Sequence, residues 1–201
     1  MSELRKMNVA FFDGEFTCNT NENRGIQELI QYSVLVFEIE MDGEVLVSMS
    51  KDPIWEMSEH VKPTYSQRLS NYIKRLTGIS QKDVDKGGDF CHTMDAILTK
   101  LNEYNVAHIL VWGPDVHLIN YNCKIRGYDI NKRLSLTERF LDISDNVSKA
   151  CELNKKASQH AMCDMMHIKE VGQAHDAKSD AYNLSQIFRY YCGQTLPIVI
   201  S

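Results

Sequence analysis

Asn8-Val9-Ala10-Phe11-Phe12-Asp13-Gly14-Glu15 is the stretch that decides the fold. Its apolar residues fall on both parities, as expected of a central strand covered on both faces. The strand then ends in two carboxylates separated by a glycine. A period of two sends Asp13 and Glu15 out of the same face as Phe11, while Phe12 and Gly14 point the other way. Further along, Ile30 to Ile39 reads as a second strand, and Asp42-Gly43 signals a hairpin into a third at Val45-Leu46-Val47. Leu69 to Leu76 reads as a helix ending near Gly78. Phe90 to Tyr104 repeats Met94, Ile97, Leu98 and Leu101 at helical spacing. His108 to Trp112 reads as a fourth strand, with a helix starting at Pro114, and Phe140 to Ile143 as a fifth. Two or three helices complete the chain, the last carrying Ala177, Ala181, Leu184, Phe188 and Tyr191 on one stripe. This order predicts an α/β protein with a mixed five-stranded sheet flanked by helices.

The chain has 201 residues, 22 Lys and Arg against 27 Asp and Glu, and a net charge of −5. Its length fits one domain spanning 1–201. The acidic balance argues against broad binding of duplex, which is driven by Lys and Arg displacing counterions. It leaves room for a short oligonucleotide at a metal site, because bound cations reverse the local field. No apolar run approaches the ~18–20 residues of a membrane span. Six scattered cysteines without a CxxC pair are expected to be reduced thiols, so a soluble, cytoplasmic protein with no membrane role is expected.

Paired carboxylates at the end of a buried strand repel each other and lose hydration, a cost that a cation or a shared proton offsets. Alone, Asp13-Gly14-Glu15 fits a solvated strand end better than a metal site. Asp115, in the first turn of the helix after the fourth strand, also fits a plain dipole-favoured position. In His175-Asp176-Ala177-Lys178-Ser179-Asp180, Asp176 suits a helix cap, with His175 just outside the helix and Asp180 beside the buried stripe. Together, Asp13, Glu15, Asp115 and Asp180 form a hard, oxygen-only set suited to Mg²⁺ or Mn²⁺ rather than zinc. Two such ions ~3.5–4 Å apart stabilise the attacking and leaving oxygens in phosphodiester cleavage. A neighbouring histidine is a natural acceptor for the proton of the attacking water.

Asp13-Gly14-Glu15-Phe16-Thr17, the Asp115 segment and His175-x4-Asp180 resemble, in order and spacing, the three exonuclease motifs of the DnaQ-like DEDDh family. Val61-Lys62-Pro63 and Leu76 to Asp85 are similar to that family's connecting segment. The phrasing resembles most the branch with histone-mRNA and small-RNA exonucleases and KapD-like bacterial proteins. The likeness covers a core of about residues 8–192. It implies an RNase H-like fold, two divalent metal ions, and 3′→5′ removal of nucleoside 5′-monophosphates from single-stranded or frayed nucleic acid, with RNA favoured by the branch. It also implies that Asp13, Glu15, Asp115 and Asp180 hold metal, that His175 is the general base, and that Thr17 lies near the terminal nucleotide. The approach Trp112-Gly113-Pro114-Asp115 is one residue shorter than the family's usual one, and Asp142 is the alternative acid. Two other readings stay open: a poorly active nucleic-acid-binding or regulatory module, and a hydrolase of very short oligonucleotides.

Other residues carry less. Phe16, Trp112 and Tyr121 lie near the motifs and offer rings for base stacking. Lys124, Arg126, Lys132 and Arg133 form a modest basic cluster suited either to phosphates or to a solvated surface. His160, Cys163 and His167 share helical spacing but lack a fourth zinc ligand, so packing or surface positions are expected of them.

Overall fold

The computed structural model describes residues 4–18, 25–43 and 45–193; the expected domain limits at 1 and 201 lie outside them. In chain order the elements are β1 (Leu4–Phe16), β2 (Leu29–Asp42), β3 (Val45–Met49), β4 (Trp55–His60), α1 (Asn71–Thr77), α2 (Gln81–Asp85) and α3 (Phe90–Glu103). There follow β5 (Val106–Val111), α4 (Asp115–Ile125), α5 (Ile130–Thr137), β6 (Phe140–Asp142), α6 (Ser144–Ala150), α7 (Gln159–Met165) and α8 (Ala177–Gly193).

The sheet runs β3-β2-β1-β5-β6, and β4 pairs with the first half of β2. β1 is antiparallel to β2 and parallel to β5, which is in turn parallel to β6. Thus β1, β5 and β6 deliver their carboxyl ends to one edge of the molecule. The mixed α/β, RNase H-like architecture is as the sequence predicts, but the sheet has six strands rather than five. The missed strand, β4, is a half-exposed edge with pattern Trp-Glu-Met-Ser-Glu-His, too polar to read as a strand without its partner.

β1 divides the core by parity. Ala10 and Phe12 pack with Phe90, Met94, Leu101, Ile119 and Cys123, under α3 and α4. Val9 and Phe11 pack with Val147, Met162, Leu184 and Phe188, under α6, α7 and α8. Phe11 meets Phe37 and Phe188 edge to face, with centroids 5.5 and 5.3 Å apart, a geometry worth about 0.5–1.5 kcal/mol per pair beyond burial.

One polar device ties the strand layer to the segment before α1. The Glu28 carboxylate has no exposure and accepts the N–H groups of Thr64, Tyr65 and Ser66 at 2.7, 2.9 and 2.5 Å. The Arg126 guanidinium, 2.9 Å away, neutralises it. No helix among the described residues is long and apolar enough to cross a membrane.

Candidate active site

The carboxyl ends of the parallel strands build one side of an open cleft of about 610 Å³. Asp13 and Glu15 leave β1 on the α8 face, as their parity requires. Asp115 starts α4 on the opposite face, yet its carboxylate reaches the same cleft. There the Gly14 N–H donates to the Asp115 carboxylate. A methyl group at Gly14 would lie 3.0–3.2 Å from Leu29, Phe16 and Phe12. The short approach to Asp115 is accommodated by Gly113 at φ +128°, a conformation that L side chains rarely adopt.

The fourth acid comes from α8. Asp176 caps that helix, accepting the N–H and hydroxyl of Ser179 at 3.1 and 2.7 Å. Gln31, opposite Glu15 on β2, grips the same helix start. Its amide N–H donates to Asp176 at 3.0 Å, and its carbonyl oxygen accepts the Ala177 N–H at 3.1 Å. The chain just before this clamp places His175 at φ +63°. The His175 main-chain N–H donates to Asp180 Oδ2 at 2.9 Å, and its ring Nδ1 lies 3.9 Å from Glu15 Oε1. Glu15, His175 and Asp180 present ligand atoms within 4.8 Å of one another.

Crowding shows in the electrostatics. Burial, then the charges of Asp115, Asp180, Glu15 and Asp176, push Asp13 well above the ordinary carboxylate range. Burial and the same neighbours raise Glu15 to about 8. Burial raises Asp115 to about 7, against the N–H groups of Asp115 itself and Gly14. Burial raises Asp180 to about 6, against the His175 N–H. Four carboxylates that resist ionising in each other's presence are stabilised by protons or by hard cations, and their oxygen-only character fits Mg²⁺ or Mn²⁺.

The alternative acid, Asp142, is otherwise engaged. Its Oδ1 accepts the Gly113 N–H at 3.1 Å, the Ser144 N–H at 3.0 Å and the Ser144 hydroxyl. Its Oδ2 takes Lys156 Nζ at 2.7 Å. Burial works to raise its pKa, but these donors prevail and hold it below the ordinary value.

Phe16 and Trp112 line the cleft, and the Trp112 indole N–H donates to the Ala157 carbonyl at 3.1 Å. The Thr17 hydroxyl is turned inward: it accepts the Glu28 N–H at 2.9 Å and donates to the Ile26 carbonyl at 3.3 Å. Tyr121 is exposed on α4 and does not line the cleft. In the basic cluster, Arg126 serves Glu28, Lys132 pairs with Asp95 at 2.9 Å, and Arg133 donates to Asn120 at 2.8 Å. His160 pairs with Glu170 at 2.5 Å, while Cys163 is buried in the core under α8.

A family model for exonucleases, RNase_T, matches residues 10–188. No curated protein matches the chain by sequence. Among solved structures, the chain is similar to the 3′-exonuclease in "3′-end specific recognition of histone mRNA stem-loop by 3′-exonuclease", at 16% identity and TM-score 0.75. That match covers 94% of this chain and 64% of the other, slightly under two thirds of its length. The nuclease domain of 3′hExo, a DEDDh family member bound to rAMP, gives 15% identity and TM-score 0.79, covering 94% of this chain and 92% of that one. E. coli Exonuclease I in complex with a dT13 oligonucleotide gives 16% identity and TM-score 0.62, covering 94% and 41%. At such identities the likeness is one of fold.

Proposed function

This chain belongs to the RNase_T exonuclease family, and from that premise we propose that it is a metal-dependent 3′→5′ exonuclease of the DnaQ-like DEDDh group. The observation that carries the proposal is the convergence of Asp13, Glu15, Asp115, Asp180 and His175, drawn from both faces of the sheet, on one cleft. Asp13, Glu15 and Asp180 would hold one divalent ion and Asp115 would help hold a second, either Mg²⁺ or Mn²⁺. Bound ions of this kind stabilise the charge that develops on the attacking and leaving oxygens of a phosphodiester.

His175, exposed at the cleft rim beside Glu15, takes a proton from water. The water oxygen forms the new bond to phosphorus as the P–O3′ bond of the last linkage breaks. A nucleoside 5′-monophosphate leaves, and the departing O3′ takes up a proton from solvent, so that the shortened strand keeps a 3′-hydroxyl. Phe16 offers a ring to the terminal base. Thr17 contributes by fixing the main chain at that end of β1, since its hydroxyl is committed within the fold. The motif-bearing core, about residues 8–192, acts as a single exonuclease domain.

The substrate is single-stranded or frayed nucleic acid, a reading supported by the resemblance of the motifs and by the dT13 oligonucleotide bound to the structurally similar E. coli Exonuclease I. RNA is favoured by the likeness to a 3′-exonuclease that recognises histone mRNA. Buried thiols at Cys123, Cys163 and Cys192 suit the reducing cytoplasm.

The test is Mn²⁺ calorimetry on the wild type, Asp13→Ala and His175→Ala, with turnover of a 3′-hydroxyl oligonucleotide measured alongside. Asp13→Ala is expected to lose Mn²⁺ binding and turnover together. His175→Ala is expected to keep wild-type Mn²⁺ affinity while turnover falls at least about 10²-fold. Undiminished Mn²⁺ binding in Asp13→Ala, or undiminished turnover in His175→Ala, overturns the assignment.

A further inference from the structure

The cleft is also lined by Lys156, Ala157 and Ser158, from the segment joining α6 to α7, and by Gln159 at the start of α7. Lys156 is the one lysine or arginine among the described residues lining it. Its side chain is 40% exposed, and Asp142 is its hydrogen-bond partner among the described residues, at 2.7 Å. An ammonium group has three N–H donors, so two remain for a ligand.

Asp142 is itself immobilised. Donors from Gly113 and Ser144 fill its other oxygen, and Gly113 is two residues before Asp115. The ammonium is therefore tethered by the same carboxylate that fixes the chain entering the acidic wall. A free lysine side chain carries about 2 kcal/mol of rotamer entropy that ligand binding would otherwise have to remove. Here the tether has already removed part of it.

A half-exposed Lys–Asp pair is worth little to stability, roughly 0–1 kcal/mol. Its position is informative: Lys156 acts electrostatically on Asp115, whereas His175 acts on Asp180. Lys156 and His175 line the same cleft as the four carboxylates.

We propose that Lys156, held in place by Asp142, binds a phosphate oxygen of the nucleic-acid strand in the cleft that it lines. This rests on the exonuclease reading and deepens it by naming a strand-holding residue. A phosphate contact carries neither base nor sugar information, so the residue serves RNA and DNA alike.

The test uses the full-length protein in the His175→Ala background, where chemistry is slow, with Mg²⁺ present. Binding of fluorescent single-stranded RNA and DNA 12-mers is followed by anisotropy across a salt series. Lys156→Met is expected to weaken both polymers by about tenfold and to reduce the slope of log K against log salt by about one. Lys156→Arg is expected to restore most of the affinity, which separates lost charge from lost packing. Asp142→Asn is expected to weaken binding less than Lys156→Met, because the cation remains but loses its tether.

Unchanged affinity and salt slope in Lys156→Met overturn the proposal. So does a loss that Lys156→Arg does not restore while the thermal midpoint falls. Wild-type turnover is measured in parallel. Lysine-dependent binding without any turnover would sink the exonuclease reading and leave the strand-holding role standing, whereas turnover without lysine dependence does the reverse.

Discussion

At Asp13, burial and four neighbouring carboxylates act in the same direction, and Glu15, Asp115 and Asp180 share the load with raised values of about 8, 7 and 6. Unfolded carboxylates titrate near 4. Between about pH 4 and pH 8 the metal-free folded protein therefore binds more protons than the unfolded chain. Its stability must fall as pH rises through that window, because the slope follows the proton excess of the unfolded state, here negative. The thermal midpoint of EDTA-treated protein is expected to drop from about pH 5 to about pH 8, and Asp13→Asn to flatten that drop. Mg²⁺ or Mn²⁺ is expected to raise the midpoint more at the alkaline end, where the cluster's charge is fully developed. A midpoint that rises with pH, or an Asp13→Asn profile parallel to the wild type, contradicts this electrostatic account. The acids were legible in the sequence because Asp-x-Glu at a strand end, an acid at a helix start and His-x4-Asp are local patterns. Lys156 was not, since its partner Asp142 is fourteen residues away and their meeting depends on how the segment between α6 and α7 folds back.

Among the elements, α8 and β2 meet at a joint that controls the histidine. Gln31 uses both ends of its amide to hold Asp176 and Ala177, at 3.0 and 3.1 Å. His175 precedes this clamp in a left-handed conformation that a free chain would leave. Replacing Gln31 with Leu removes both contacts while keeping the buried volume. The expected result is a kcat lowered roughly ten- to a hundredfold, with KM little changed. In a His175→Ala background most of that loss should vanish, since residues acting through one another are not additive. An equal loss in both backgrounds would make Gln31 a general structural support. The pairing of Gln31 with Glu15 follows from strand register, which a sequence does not declare; from sequence, Gln31 reads as a polar residue in an apolar run. The same limit hid β4, whose Trp55 and Met57 alternate with Glu56 and Ser58 and acquire their role only by pairing with β2.

For the molecule as a whole, the end of β1, the starts of α4 and α8 on opposite faces of the sheet, and the segment between α6 and α7 place four carboxylates, a histidine and a lysine around one opening. The order of strands and helices, and the two-faced burial of β1, could be read in advance because Val9 to Phe12 is apolar on both parities. The reach of Asp115 past Gly14, from the α4 layer into the α8 side, could not, because it requires knowing which face each helix covers. The central claim is that this opening removes nucleotides from a 3′ end by metal-dependent hydrolysis. Its most direct measurement is a time course on 5′-labelled single-stranded RNA and DNA of equal sequence, with wild type and Asp13→Ala in Mg²⁺, Mn²⁺ and EDTA. The account predicts a ladder shortening from the 3′ end, with RNA degraded faster, and no shortening in EDTA or with Asp13→Ala. Intact substrate under every condition from folded wild-type protein, or equal metal-dependent rates for wild type and Asp13→Ala, would contradict it.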